Sequence, residues 1–140
     1  MQGFVFRSGD KRFEGRSASD ALKAALSDPA VLMVNRNAGS GTRVLVDGLL
    51  GGAQPAGYAN QPRSHNAVAA AVAQNRADWG VCIEPVAQMY DLLFLPIAPE
   101  EYDFLLREVR RNHPAVQAFL AALHDEKIRA RIRALGMEPT

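Results

Sequence analysis

Apolar positions along the chain come in short bursts separated by polar, glycine- and proline-bearing turns, and the spacing within the bursts changes. Residues 2–7 hold Phe4, Val5 and Phe6 and predict a short strand, followed by the polar turn Ser8-Gly9-Asp10-Lys11. Ser17-Ala18-Ser19-Asp20 sets an acid three residues after a serine, close to a capping box, and opens a helix with Ala21, Leu22, Ala25 and Leu26 on its apolar face. Asp28-Pro29 ends it. The apolar run 31–35 predicts a buried strand that stops at a polar, glycine-bearing turn, and residues 42–50 predict a helix stopped by Gly51-Gly52. Residues 53–63, with Pro55, Gly57, Asn60 and Pro62, predict a loop. Ser64 is placed to cap a helix over 65–74, whose alanines and valines suit close packing on a sheet, with Asn75 just past its end. Residues 79–83 predict a strand, Glu84-Pro85 a short helix, and residues 92–97 a strand that Pro96 pushes to an edge or a bulge. Residues 102–106 predict a last strand. Pro114 opens a helix carrying Val116, Phe119, Leu120 and Leu123; a break falls near His124-Asp125, and a final helix turns Ile128, Ile132 and Leu135 inward before Gly136. Alternating strands and helices predict an α/β domain with a mainly parallel sheet, in which ligands bind outside the carboxyl ends of the strands.

Composition narrows the classes. The chain has 140 residues, 48% of them hydrophobic, enough for one domain with a core. A formal charge of +1 argues against nucleic acid as the main partner. Two local arginine groups, Arg107, Arg110 and Arg111, then Arg129, Arg131 and Arg133, read as solvated helix surface. The single cysteine, Cys82, excludes an internal disulfide and a multi-cysteine zinc site, and its apolar neighbours predict a buried, inert thiol. No signal peptide is visible, and no apolar run approaches the roughly 18–20 residues of a membrane span, so a soluble cytoplasmic protein is expected.

The chemistry concentrates in Asn35-Arg36-Asn37-Ala38-Gly39-Ser40-Gly41-Thr42-Arg43. Strand, small-residue turn and helix N-terminus together suit an anion: first-turn N–H groups lack intrahelical partners and the dipole is positive there. Gly39 and Gly41 allow close approach, Ser40 and Thr42 offer hydroxyls, and Arg36 and Arg43 offer forked donors. The turn is not a P-loop, since no Lys-Ser/Thr pair follows, nor a dinucleotide fingerprint, since Val44 stands where the third glycine belongs. A plain helix-capping turn weighs about as much as an anion site. Arg63-Ser64-His65 is a second candidate: Ser64 caps a helix in either case, and His65 adds a pH-sensitive donor. A Ser40–His65–Glu84 triad has no supporting spacing, for there is no Gly-x-Ser-x-Gly elbow. Glu84 and Tyr102 adjoin predicted strands and can reach a cleft, although such isolated residues are more often at the rim. His65, His113 and His124 lack metal-ligand spacing, and Trp79 reads as core.

The ordered set formed by residues 35–43, Arg63-Ser64-His65-Asn66-Ala67-Val68, Ala77-Asp78-Trp79-Gly80-Val81, Leu93-Phe94-Leu95-Pro96-Ile97 and Glu101-Tyr102-Asp103 resembles the periplasmic-binding-protein-like domain associated with molybdopterin biosynthesis enzymes and helix-turn-helix regulators. The resemblance runs from Met1 to about Gly136. It implies a type 2 periplasmic-binding fold, a non-catalytic intracellular ligand-binding role and a small oxyanion such as molybdate or tungstate. Ser40, Gly41, Thr42 and Arg43 would line the cleft from one helix end and Ser64 and His65 from the other, with Arg36, Glu84 and Tyr102 nearby. No cofactor, metal, membrane or direct nucleic-acid contact is expected. Against the full family pattern, residues 1–140 read as a single domain that is mainly one lobe with a mixed or parallel sheet plus C-terminal helices, the first lobe largely missing. A homo-oligomer or a partner chain would then complete the site. The alternatives are an accessory or regulatory part of a molybdopterin biosynthesis enzyme, and a structural dimerisation module.

Overall fold

A computed structural model describes residues 1–139. The chain divides into two compact units, residues 1–100 and 101–140.

The first unit is a mixed α/β sandwich built on four strands, β1 (Gln2–Phe6), β2 (Met33–Val34), β3 (Trp79–Ile83) and β4 (Leu93–Ala98), in the order β2-β3-β1-β4. Of the parallel and mixed sheets expected, the sheet is the mixed one. Only β2 and β3 pair in parallel, with Met33 opposite Trp79 and Val34 opposite Gly80. β1 lies in the interior of the sheet and runs antiparallel to both neighbours, with Gln2 opposite Ile83 on one side and Ala98 on the other. The first strand enters from the edge at which the other three end, so the carboxyl ends of β2, β3 and β4 share one edge with the start of β1. The ladder between β1 and β4 shifts register at Gln2/Gly3, opposite Pro96 and Ala98. That is the irregularity expected of a proline in an edge strand, where no ladder N–H is lost on the outer side.

Helices cover both faces. α1 (Ala18–Ser27) and α2 (Gly41–Leu50) lie on the face of Phe4, Phe6, Met33, Trp79 and Val81. α3 (His65–Ala73) and the short α4 (Glu84–Met89) lie on the face of Val5, Val34 and Cys82. Period-two alternation along each strand sorts these side chains. Phe4 stacks on Trp79 with centroids 4.7 Å apart, and Phe13 meets both Phe4 and Phe6 edge-on. Gly80 is required by the close seating of α3: a Cβ there would lie 2.7 Å from Val68 Cγ1 and 2.9 Å from Val34 Cγ1.

Caps fall where the chain predicts them. Ser17 accepts from the Asp20 N–H, Ser40 from Arg43 and Ser64 from Ala67, and Gly51 takes the left-handed conformation past α2. The strand expected over 31–35 is reduced to Met33 and Val34. Its outer edge is covered by the loop 53–63, since Met33 N–H donates to Ala56, Asn35 N–H to Asn60 and Asn37 N–H to Pro62. These isolated bonds to a turning, proline-bearing segment satisfy the edge without forming a ladder. Leu26, expected to face inward, is 39% exposed.

The second unit holds a short 3-10 turn, α5 (Pro114–His124) and α6 (Glu126–Ala134). His113 caps α5 and Asp125 caps α6. The strand expected over 102–106 does not form: these residues are irregular and exposed, Leu105 at 98%. Ile128 and Leu135, expected inward, are exposed, and α6 has no buried residue. Phe104 and Phe119 pack edge to face at 4.9 Å. Among the described residues no helix is long and apolar enough to cross a membrane.

Candidate functional site

The site forms where β2 leaves the sheet. Asn35 is 2% exposed; its Oδ1 accepts the Arg36 N–H at 2.9 Å, turning the chain sharply off the strand. Gly39 adopts φ +83, a conformation that suits glycine and lets the turn reverse into α2. Ser40 then works in both directions, donating to the Asn37 carbonyl at 3.0 Å and accepting from the Arg43 N–H at 3.2 Å. The first-turn amides of Gly41 and Thr42 have no intrahelical partner and mark the positive end of α2. Thr42 itself is 2% exposed.

Arg43 is a brace. Its Nε donates to both carboxylate oxygens of Asp47, at 2.8 and 2.9 Å, Nη1 to the Arg36 carbonyl at 3.1 Å, and Nη2 to the Tyr58 hydroxyl at 2.6 Å. The guanidinium also lies over the Tyr58 ring, 4.4 Å from its centroid. These contacts tie α2 to the loop 53–63, hold the backbone at Arg36 and engage three of the five Arg43 N–H donors.

Arg36 points to the other face of the sheet. It is largely buried, and its Nη1 lies 3.0 Å from His65 Nε2. Arginine only donates, so Nε2 is the acceptor and the imidazole proton sits on Nδ1. Burial and the neighbouring Arg36 charge together lower the His65 pKa to about 4, so the ring is neutral at physiological pH. Two donors remain buried with no partner, Arg36 Nε and His65 Nδ1. Ser64 caps α3 immediately before His65, so this pair adjoins a second positive helix end. The turn after β2 therefore sits between the N-termini of α2 and α3, which come from opposite faces of the sheet.

Of the other candidates, Glu84 opens α4 directly after β3, on the same carboxyl edge, and its N–H donates to the Met1 carbonyl. α4 has only six residues. Tyr102 belongs to the second unit, where it is 65% exposed. Ser40 and His65 do not pair: the serine hydroxyl is committed to the Asn37 carbonyl and the imidazole to Arg36. Cys82 is buried, and burial pushes its thiol up to about 12, as expected of an inert core sulfur. Among the described residues no group of His, Cys, Asp and Glu is arranged to hold a metal ion.

Glu100 lies outside the sequence candidates, and Asn37 lies in the turn they single out but is given no role of its own. Glu100 ends the first unit, two residues past β4; its Oε2 is buried without a partner, as is Asn37 Oδ1. A separate apolar groove of about 350 Å³ lies between α1, α2 and the sheet, lined by Phe4, Leu22, Val46, Leu50, Trp79 and Ile97 among others. It contains no titratable side chain, and the Trp79 indole N–H is buried without a partner.

Comparison with known sequences adds to this geometry. The family model of the PBP superfamily domain matches residues 1–124. The chain is also similar to YvgK, an uncharacterised protein of Bacillus subtilis, with 33% identity over 111 residues that cover 76% of this chain. The chain spans 35% of the length of that relative. No solved structure matches.

Proposed function

Because this chain belongs to the PBP superfamily, we propose that it is a non-catalytic ligand-binding module whose first unit holds a small anion at the carboxyl edge of its sheet. The observation that carries this reading is the Arg36–His65 pair, with Arg36 Nε and His65 Nδ1 both buried and without partners beside the N-terminus of α3. A buried donor with no acceptor costs about 1–3 kcal/mol, and an anion seated here would relieve two such costs at once. The N-terminus of α2, with Gly41 and Thr42, would add backbone donors from the other face. In this reading Ser40, Ser64 and Arg43 shape the site, Arg36 and His65 contact the ligand, and Glu84 stands at its rim. A two-lobed type 2 cleft, a molybdate or tungstate ligand and a place beside molybdopterin biosynthesis rest on the sequence resemblance alone.

The test is a thermal-shift and calorimetric screen of the full chain with molybdate, tungstate, sulfate, phosphate and small carboxylates. A ligand that binds only the folded state stabilises it by about 2.7 kcal/mol at a hundred times its Kd. The expected result is a melting shift with at least one of these anions that is lost in Arg36→Leu, while circular dichroism of the variant stays native. An equal shift in the variant would place the anion elsewhere, and the absence of any shift would remove the reading.

A further inference from the structure

Residues 53–63, a loop in sequence and structure alike, fasten both halves of the proposed site. The loop runs alongside β2, taking the Met33, Asn35 and Asn37 N–H groups on the carbonyls of Ala56, Asn60 and Pro62 at 2.8, 2.9 and 3.2 Å. It is pressed so close that a Cβ on Gly57 would collide with the Met33 carbonyl oxygen, and Gly57 also takes φ +85, so only glycine fits there. That seating presents Tyr58 to α2. The Tyr58 hydroxyl accepts from Arg43 Nη2 at 2.6 Å and donates to Asp47 Oδ1 at 2.9 Å, and its ring lies 4.4 Å from the Arg43 guanidinium. The Tyr58 carbonyl accepts from Asn35 Nδ2 at 3.4 Å, so one residue grips both α2 and the turn after β2.

Beyond Pro62 the loop leads to Ser64, the cap of α3, and to His65, which meets Arg36 at 3.0 Å. Arg36 is held from the other side, its N–H by Asn35 Oδ1 at 2.9 Å and its carbonyl by Arg43 Nη1 at 3.1 Å. The contacts thus close a circuit from Arg36 through His65, the loop, Tyr58 and Arg43 back to Arg36. Donors serve a ligand well only when fixed to within about 0.5 Å before it arrives, and a loop is the softest part of such a circuit. We infer that Tyr58 is a positioning residue: it locks the loop 53–63 to α2 and so sets the spacing of Arg36 and His65 without touching the ligand. This rests on the anion-site reading above and adds how that site is held in shape.

The test is Tyr58→Phe in the full chain, which keeps the ring against Arg43 and removes only the hydroxyl. Two quantities are read, the His65 titration by nuclear magnetic resonance and the affinity for molybdate, sulfate and phosphate by calorimetry. The His65 pKa is expected to move from about 4 towards 6.5, as the loosened ring leaves the Arg36 charge and gains water. Affinity for whichever of these anions binds is expected to fall about tenfold. Ser17→Ala, which removes the cap of α1 outside the circuit, is the destabilised control and is expected to move neither quantity. An unmoved His65 pKa in folded Tyr58→Phe would overturn the inference, as would unchanged anion affinity or an equal response in Ser17→Ala. If no anion binds the unaltered chain, the anion-site reading falls, and the His65 titration alone decides whether Tyr58 sets the pair.

Discussion

At the scale of single residues, His65 is a histidine held neutral next to an arginine. Its pKa of about 4 lies below the ordinary 6.5, so in the unfolded chain it takes up a proton before the folded chain does. Stability from this group is therefore complete above pH 6.5 and is lost as pH falls towards 4. Nuclear magnetic resonance titration is expected to show the His65 imidazole titrating near 4, well below the ordinary 6.5. Arg36→Gln should raise that value, because it removes the second of the two causes. An unshifted His65 in the unaltered chain would contradict the pairing. Arg36 and His65 each stand out in the sequence as a donor near a helix start, but their meeting does not, since it depends on both lying on the α3 face of the sheet. Arg43 illustrates the converse. Its spacing to Asp47 is visible as an i,i+4 pair on a helix, yet the Tyr58 and Arg36 contacts that occupy it arrive from a loop and a turn.

At the scale of elements, the end of the sheet opposite the site is tied by Asp78. Its carboxylate accepts from the Leu32 N–H at 2.8 Å, from Arg12 at 2.6 Å and from Arg7 at 3.3 Å, while Arg7 also donates to the Val72 and Ala77 carbonyls at 2.6 Å. One aspartate thus joins the approach to β2, the start of β3, the exit of β1 and, through Arg7, the end of α3. Asp78→Ala is expected to lower unfolding stability by about 2–3 kcal/mol, because it strands donors that are partly buried. Urea denaturation should show the midpoint falling with the slope unchanged. A loss below about 0.5 kcal/mol would mean that solvent replaces the network. Helix starts were legible because a cap is a local event: Ser17, Ser40 and Ser64 each bond an amide three residues on. Strands were less so. Residues 31–35 have the apolar content of a strand, but the partner on their outer edge is an irregular loop, and residues 102–106 have the content without any partner. Pairing decides a strand, and pairing is not local.

At the scale of the whole molecule, the buried hydrophobic residues among those described run from Phe4 to Leu92, within the first unit. A chain truncated after Glu100 is therefore expected to keep a cooperative thermal transition within a few degrees of the full chain, as read by circular dichroism at 222 nm. Loss of cooperativity would show that residues 101–140 are needed for the core. The α/β class was legible from alternation, but the direction of β1 was not, since a short apolar run does not record which way it is traversed. That strand has a consequence for how the molecule comes into being. It is made before the other three strands of the sheet, yet it lies between β3 and β4 and pairs with Ile83 and Ala98 at its first position. Phe4, Val5 and Phe6 must therefore wait, with both edges open, until nearly all of the first unit has been synthesised. Its pairing can be complete only once two strands made much later are present, and that same pairing closes the hydrophobic core and brings the start of β1 to the edge at which β2, β3 and β4 end.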